Sequence, residues 1–314
     1  MNRKAAVGIG YIFCLLLTHA ANAQNLQAGP QQKPQVLWQK LDATIGETDA
    51  HLDGVIGVAI EDLTTGQKLL LREDEVFPQA SSIKIAVLAE LYHQAQTGKN
   101  KLADLYTVQS SDLVADSDIM NGLTPGVSQI TLRDLATMMV AVSDNSATNV
   151  LIDRVGMANV NALLDSLGLS HTRLRRKMMD LKAAAEGREN ISTPREMMTL
   201  LDVLYRGKVL NRELTEDFFR MLSTHKSSFI PRELPDDVKI ANKPGALEGV
   251  RNDSGVVLLS GRPYIICVMT TYLHHEQDGE DAISRISLAA YRMFDRLARA
   301  SEYGRVVSPG NSSK

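Results

Sequence analysis

Three short stretches carry side chains that could move protons around an electrophilic carbon. In Phe77-Pro78-Gln79-Ala80-Ser81-Ser82-Ile83-Lys84 a hydroxyl and an amine stand three residues apart. Ser143-Asp144-Asn145 offers a second hydroxyl and an amide, and Lys243-Pro244-Gly245 a second amine beside a residue without a side chain. Ile85, Leu88 and Tyr92, with Val87 and Leu91, follow Ser81 at helical spacing, so Ser81 is expected in the first turn of a buried helix, on one face with Lys84. Free N–H groups at a helix start favour negative charge, and a lysine whose pKa is lowered by burial can accept or share the serine proton. That combination suits nucleophilic catalysis with Ser81 as the attacking oxygen.

Each stretch alone is a weak signal. Ser-x-x-Lys occurs again as Ser223-Thr224-His225-Lys226, where the polar "HKSSF" follows instead of an apolar helix, and that copy is expected at the surface. Taken alone, the Ser143 tripeptide reads as a capped helix junction and Lys243-Pro244-Gly245 as a turn at the end of a strand. In combination, Ser143 could relay a proton to a leaving nitrogen, and Asn145 could hold a substrate carbonyl or amide. Lys243 would supply fixed positive charge, while Gly245 would let a substrate backbone lie close.

The elements that must position these groups are legible from periodicity. A helix is expected over "VLWQKLDATIGETDAHL", with Leu37, Leu41 and Ile45 at four-residue spacing, followed by a hairpin of "GVIGVAIEDL" and "KLLLR" around "TTGQ". From Ser81 to about Gly207 the pattern is almost wholly helical. It includes Thr131–Val142, with Leu132, Leu135, Ala136 and Met139 on one face, and a helix opening at Thr193-Pro194-Arg195-Glu196 with a capping box. Strands return in "DVKIANK", "SGVVLLS" and "YIICVMTTY", and an amphipathic helix with Ile283, Ile286, Ala290, Met293 and Leu297 closes the chain. Strands at both ends around a helical middle imply one sheet built from both chain ends, with a helical subdomain inserted.

The chain has 314 residues, 44% hydrophobic and 23% charged, as in a globular protein with a sizeable core. Residues 1–23 read as a secretory signal peptide: Arg3 and Lys4, an apolar stretch from Ala5 to Leu17, then "THAANA", with cleavage expected near Ala23. That stretch is too short for a membrane span, and nothing later approaches the roughly 20 apolar residues a span requires. An exported protein is expected, periplasmic or secreted. Its net charge of −3 becomes −5 once Arg3 and Lys4 leave, which is no nucleic-acid footprint. The basic run Arg173–Lys177 reads as a solvated or salt-bridged loop, and the lone Cys267 as a buried strand residue. "HHEQD" at His274–Asp278 lacks the spaced histidines of a metal site, so no metal and no cofactor are expected. The expected layout has residues 24–35 as a disordered linker and 36–303 as a catalytic domain, with the helical subdomain at about 81–207. Residues 304–314 would form a flexible tail.

The three motifs, in this order, resemble those of the class A serine β-lactamase family within the penicillin-recognising enzymes, over roughly Val36 to Tyr303. The resemblance implies an α/β (α+β), β-lactamase/transpeptidase-like fold: a mixed antiparallel sheet flanked by helices, with an all-helical subdomain. It implies that Ser81 is acylated with help from Lys84, that Ser143 passes a proton to the departing nitrogen, and that Asn145 binds a substrate amide. Lys243 would support the relay and a substrate carboxylate, and the N–H groups of Ser81 and Ala246 would form the oxyanion hole. The ligand would be a small-molecule β-lactam or a peptidoglycan-like peptide, bound by a monomer.

Two departures from the family pattern stand out. Pro244 has neither hydroxyl nor N–H where the family usually has Thr or Ser, so one carboxylate contact is missing; Arg251 could replace part of that charge. Aligning Thr172-Arg173-Leu174 with the family's loop puts Met178 where a glutamate activates the deacylating water, and Lys182 where an asparagine is usual. Asp180, Glu186 and Glu189 lie nearby, with Asp180 and Glu189 as the possible substitute bases, and spacing does not choose between them. Three readings follow: a β-lactamase slow in deacylation; a penicillin-binding D,D-peptidase or related serine hydrolase; and a non-enzymatic penicilloyl-binding module.

Overall fold

The computed structural model describes residues 32–301 and 303–306. The proposed signal peptide lies outside the described residues. The first helix, α1 (Gln32–His51), begins four residues before its expected start, and Pro34 fits there because a first-turn residue needs no intrahelical N–H partner. β1 (Val55–Asp62) and β2 (Lys68–Leu71) form the expected hairpin. Near the chain end come β7 (Ile240–Leu247), β8 (Val250–Val257), β9 (Tyr264–Thr271) and α9 (Glu276–Arg299). These strands make one antiparallel sheet, order β2-β1-β9-β8-β7, joining both chain ends as the pattern implied.

Each face of the sheet is covered. Ile56, Val58, Ile60, Ile266 and Val268 pack with Trp38, Leu41 and Ile45 of α1 and Ile283, Ile286 and Phe294 of α9. The opposite face, with Ala59, Ile265, Cys267 and Met269, joins the larger core of the helical region. Gly57 is required by that packing, because a Cβ there would sit 2.7 Å from the Phe77 ring and 2.9 Å from Pro194. Burial on both faces explains why these strands read as apolar runs. Cys267 is buried, and burial pushes its thiol up to about 12, leaving it inert.

The middle of the chain holds α2 (Lys84–Gln96), α3 (Leu132–Ala141), α4 (Asn145–Val155), α5 (Met157–Ser166), α6 (Leu181–Ala185), α7 (Pro194–Tyr205) and α8 (Arg212–Leu222). It is less purely helical than its pattern. β3 (Phe77–Pro78) pairs with β6 (Ile191–Ser192), and β4 (Leu105–Thr107) with β5 (Gln129–Thr131), strands too short to leave a period. α2 is buried on almost every side from Lys84 to Tyr92, which makes it the axis of the subdomain. Thr131 caps α3 as expected, accepting from the Asp134 N–H, and the four apolar residues of its predicted face are all buried.

Candidate active site

Ser81 lies in a 3-10 turn, Ala80–Ile83, that runs directly into α2, so Lys84 is the first residue of the α-helix. Ala80 adopts φ 48°, a left-handed conformation that costs an alanine roughly 1–2 kcal/mol. The surroundings hold this turn in place. Gln79 N–H donates to Asn190 O at 2.7 Å, Asn252 Nδ2 to Pro78 O at 2.7 Å, and Ser82 Oγ to Lys243 O at 3.1 Å. Among the described residues, neither the Ser81 hydroxyl nor its N–H has a hydrogen-bond partner, so both remain available to a ligand.

Lys243-Pro244-Gly245 does not end a strand, as expected from sequence, but lies within β7. Proline is tolerated there because β7 is an edge strand, where a missing N–H breaks no ladder. Gly245 is obligatory: a Cβ would approach Gln79 O to 2.6 Å and Ser82 N to 2.9 Å. The glycine therefore brings β7 against the Ser81 turn.

The two lysines and the second serine form one cluster. Lys84 Nζ donates to Ser143 O at 2.6 Å, Ser143 Oγ at 2.9 Å and Asn145 Oδ1 at 2.9 Å. Lys243 Nζ reaches the same Ser143 Oγ at 3.0 Å and also Pro244 O at 3.1 Å. Ser143 takes φ 59° to present this oxygen, and Asp144 anchors the junction by capping α4 and accepting from the Ile119 and Met120 N–H groups. Burial pushes the Lys84 ammonium well below its ordinary value, and repulsion from Lys243 adds to this against the pull of Asp144. Burial likewise brings Lys243 down to about 7; Asp253 opposes the shift and Lys226 reinforces it. A lysine so depressed is a base near neutral pH.

The loop before α7 bears on the missing glutamate. Asn149, four residues after Asn145 on α4, accepts from the Met178 N–H at 2.8 Å and donates to its carbonyl at 3.1 Å. Met178 is thus gripped by its backbone, with a buried thioether side chain. Asp180 is exposed and caps α6 through Ala183 N at 2.9 Å, while Glu189 pairs with Arg176 at 2.8 Å. Lys182 lies exposed on α6. The run Arg173–Lys177 is salt-bridged as expected, with Arg173 to Asp165, Arg176 to Glu189 and Lys177 to Asp153.

Thr193 caps α7, but Glu196 does not return the bond of a capping box. Its buried carboxylate instead accepts from Thr172 N at 2.6 Å, Thr172 Oγ1 at 2.7 Å and His171 N at 2.9 Å, holding the loop's entrance. Burial alone would raise its pKa; the bonds from His171 and Thr172 outweigh it and leave it lowered.

Arg251 lies across from Ala246 in the β7–β8 pairing, but its guanidinium is engaged. It donates to Glu280 at 2.9 Å and to the carbonyls of Leu247 and Val250. Sequence reasoning did not single out Asn149, whose signal is its helical spacing from Asn145, or Asn190 and Asn252, whose contacts are long-range.

The comparisons agree with this geometry. The family model described as the Beta-lactamase enzyme family matches residues 36–294. The β-lactamase SME-1 of Serratia marcescens is 29% identical over 258 residues, covering 78% of this chain and 87% of its own. Among solved structures, an ancestral (GNCA) class A β-lactamase superposes with TM-score 0.75 at 28% identity, over 81% of this chain and 100% of that one. A leucine-to-glutamate mutant of PBP-A, solved as an acyl-enzyme complex with penicillin G, gives TM-score 0.74 at 25% identity over 84% and 97%. With its Ser81 turn, its Ser143 junction and its Lys243 edge strand drawn together, the chain belongs to the class A serine β-lactamase family.

Proposed function

We propose that this protein opens β-lactam rings through an acyl-enzyme on Ser81, and that the acyl-enzyme is slow to hydrolyse. The observation that carries the reading is the hydroxyl of Ser143 held between two buried, pKa-depressed lysines beside Ser81. Lys84, whose burial favours the neutral amine, gives up its donor bond to Asn145 with its proton and then takes the Ser81 proton as Oγ bonds to the lactam carbonyl carbon. The oxyanion is received by the N–H groups of Ser81 and Ala246, donors each worth roughly 3–4 kcal/mol in comparable acyl transfer. A hydroxyl has one hydrogen and two lone pairs. With both lysines donating to Ser143 Oγ, its own hydrogen is free for the ring nitrogen as the C–N bond breaks, and Lys84 then returns a proton to Ser143. Asn145 orients the substrate amide.

Hydrolysis needs a base for water. The place gripped by Asn149 holds Met178, and Asp180 and Glu189 serve as a helix cap and an ion-pair partner. A missing base costs roughly 100- to 10,000-fold. The family's relatives carry β-lactamase names, which favours this reading over a D,D-peptidase or a binding module. The 1–23 leader supports export, and among the described residues no helix is long and apolar enough to cross a membrane.

Intact-mass measurement with benzylpenicillin tests the assignment. Ser81→Ala should abolish the adduct and Ser223→Ala should leave it. An adduct retained by the Ser81 variant would overturn the assignment. Asp180→Asn and Glu189→Gln should each leave its decay unchanged, and a large slowing in either would name that residue as the base.

A further inference from the structure

The helices that cover the sheet on the side away from the helical subdomain carry a groove that the acylation chemistry does not use. It lies between α1 and α9, encloses about 300 Å³, and is rimmed by Lys40 of α1 and by Arg285, Arg292 and Arg296 of α9. Arg292 and Arg296 follow Arg285 by seven and eleven residues, so the three share one face of the helix. All four cations are exposed, and among the described residues no acid lines the groove. Arg285 pairs with Glu47 at 2.7 Å. Lys40, Arg292 and Arg296 join no ion pair among the described residues. Asp295, the acid next to Arg296 in the chain, is taken by Arg299, and Asp42, two residues past Lys40, falls on the other side of α1.

Like charges four residues apart, as Arg292 and Arg296 are, repel on a helix surface, and a bound anion relieves that repulsion. The floor beneath the cations is apolar. Leu37 and Leu41 meet Leu288, Ala289 and Met293 there, with Leu37 and Leu288 partly exposed. Val36, 46% exposed, extends the strip one turn before Lys40. Guanidinium groups match phosphate oxygens in a bidentate fork, and an apolar floor suits the hydrocarbon next to a lipid phosphate.

We infer that this groove docks the protein on an anionic phospholipid surface, with a lipid phosphate held by Lys40, Arg292 and Arg296 and the adjoining hydrocarbon laid on Leu37 and Leu288. Clustered basic residues each add to the attraction of such a surface, even on a chain whose overall charge is −3. A nucleic acid would use the rim but leave the floor without a partner. A second copy of the chain fits worse, since a twofold contact through the groove would set these cations against themselves. Docking leaves the chemistry free. α1 and α9 cover one face of the sheet, while α2, which carries Lys84, belongs to the core on the other. A chain held by the groove therefore turns its helical subdomain away from the lipid.

Flotation of the protein as recovered from cells, its N-terminus established by intact mass, tests this on vesicles of equimolar phosphatidylglycerol and phosphatidylcholine beside vesicles of phosphatidylcholine alone. The protein should float with the anionic vesicles only, and less so as salt rises. Arg292→Glu with Arg296→Glu should weaken that partition about tenfold or more, since each basic residue near the surface contributes. Lys99→Glu with Lys208→Glu makes the same change of charge at two exposed lysines that follow α2 and α7, and should leave it nearly unchanged. Arg292→Gln with Arg296→Gln, and separately Leu288→Asn, should each give a smaller loss of the same kind, with a thermal scan confirming that every variant is folded. Binding to both kinds of vesicle alike, binding to neither, no loss in the groove variants, or equal losses in the two glutamate pairs would each overturn the inference. Concentration-dependent self-association that Arg292→Glu with Arg296→Glu abolishes would also overturn it, by giving the groove to a second copy.

Discussion

In the proposed mechanism Ser143 is the residue on which the chemistry turns, because its one oxygen is shared by Lys84 and Lys243. Removing it disconnects the proton path without opening a core cavity. Ser143→Ala should slow adduct formation by roughly 100- to 10,000-fold, the usual worth of a proton-transfer group, with little change in melting temperature. Stopped-flow acylation beside a thermal scan checks both halves, and an unchanged rate would remove Ser143 from the path. Lys243 adds a pH signature. Its ammonium, brought to about 7 by burial, loses its proton as pH rises through that value, and with it the positive charge that supports the relay. The acylation rate should therefore fall on the alkaline side of about pH 7. Lys243→Arg, which stays charged, should abolish that descending limb; a limb that persists would assign it to another group.

Elements were legible where the determinants are local. Thr131 and Thr193 announce their helices because a cap and a period are written within a few neighbouring residues. The passage of β7 through Pro244 was not legible, since only the sheet order reveals that this is an edge. Glu196 likewise left its expected capping box for partners 24 and 25 residues back in the chain, which no local pattern announces. That last bond has a consequence in acid. A carboxylate whose pKa is lowered in the folded protein holds its element above its unfolded pKa and releases it as pH falls through the folded one. Amide hydrogen exchange over residues 171–191 should therefore accelerate in acid below the ordinary glutamate range. Glu196→Gln should exchange fast at every pH, and equal protection in variant and parent would contradict the role given to this carboxylate.

At the scale of the molecule, a sheet edge, a buried helix and the loop that ends at Asn190 pack around the Ser81 turn. In the proposed mechanism β7 and α2 bring what acylation needs: Lys243, Gly245 and Lys84. The loop carries Met178, and Asn149 holds its backbone where an acidic side chain could be carried instead. The chain should thus be an efficient acceptor of penicillin and a poor releaser of it. Time-resolved mass spectrometry of the intact chain with one equivalent of benzylpenicillin, run beside Met178→Glu, measures this most directly. The account predicts stoichiometric labelling of Ser81 that persists for minutes in the parent and decays at least tenfold faster in the variant. Complete hydrolysis by the parent with no accumulating adduct, or decay that is the same in both chains, would contradict it.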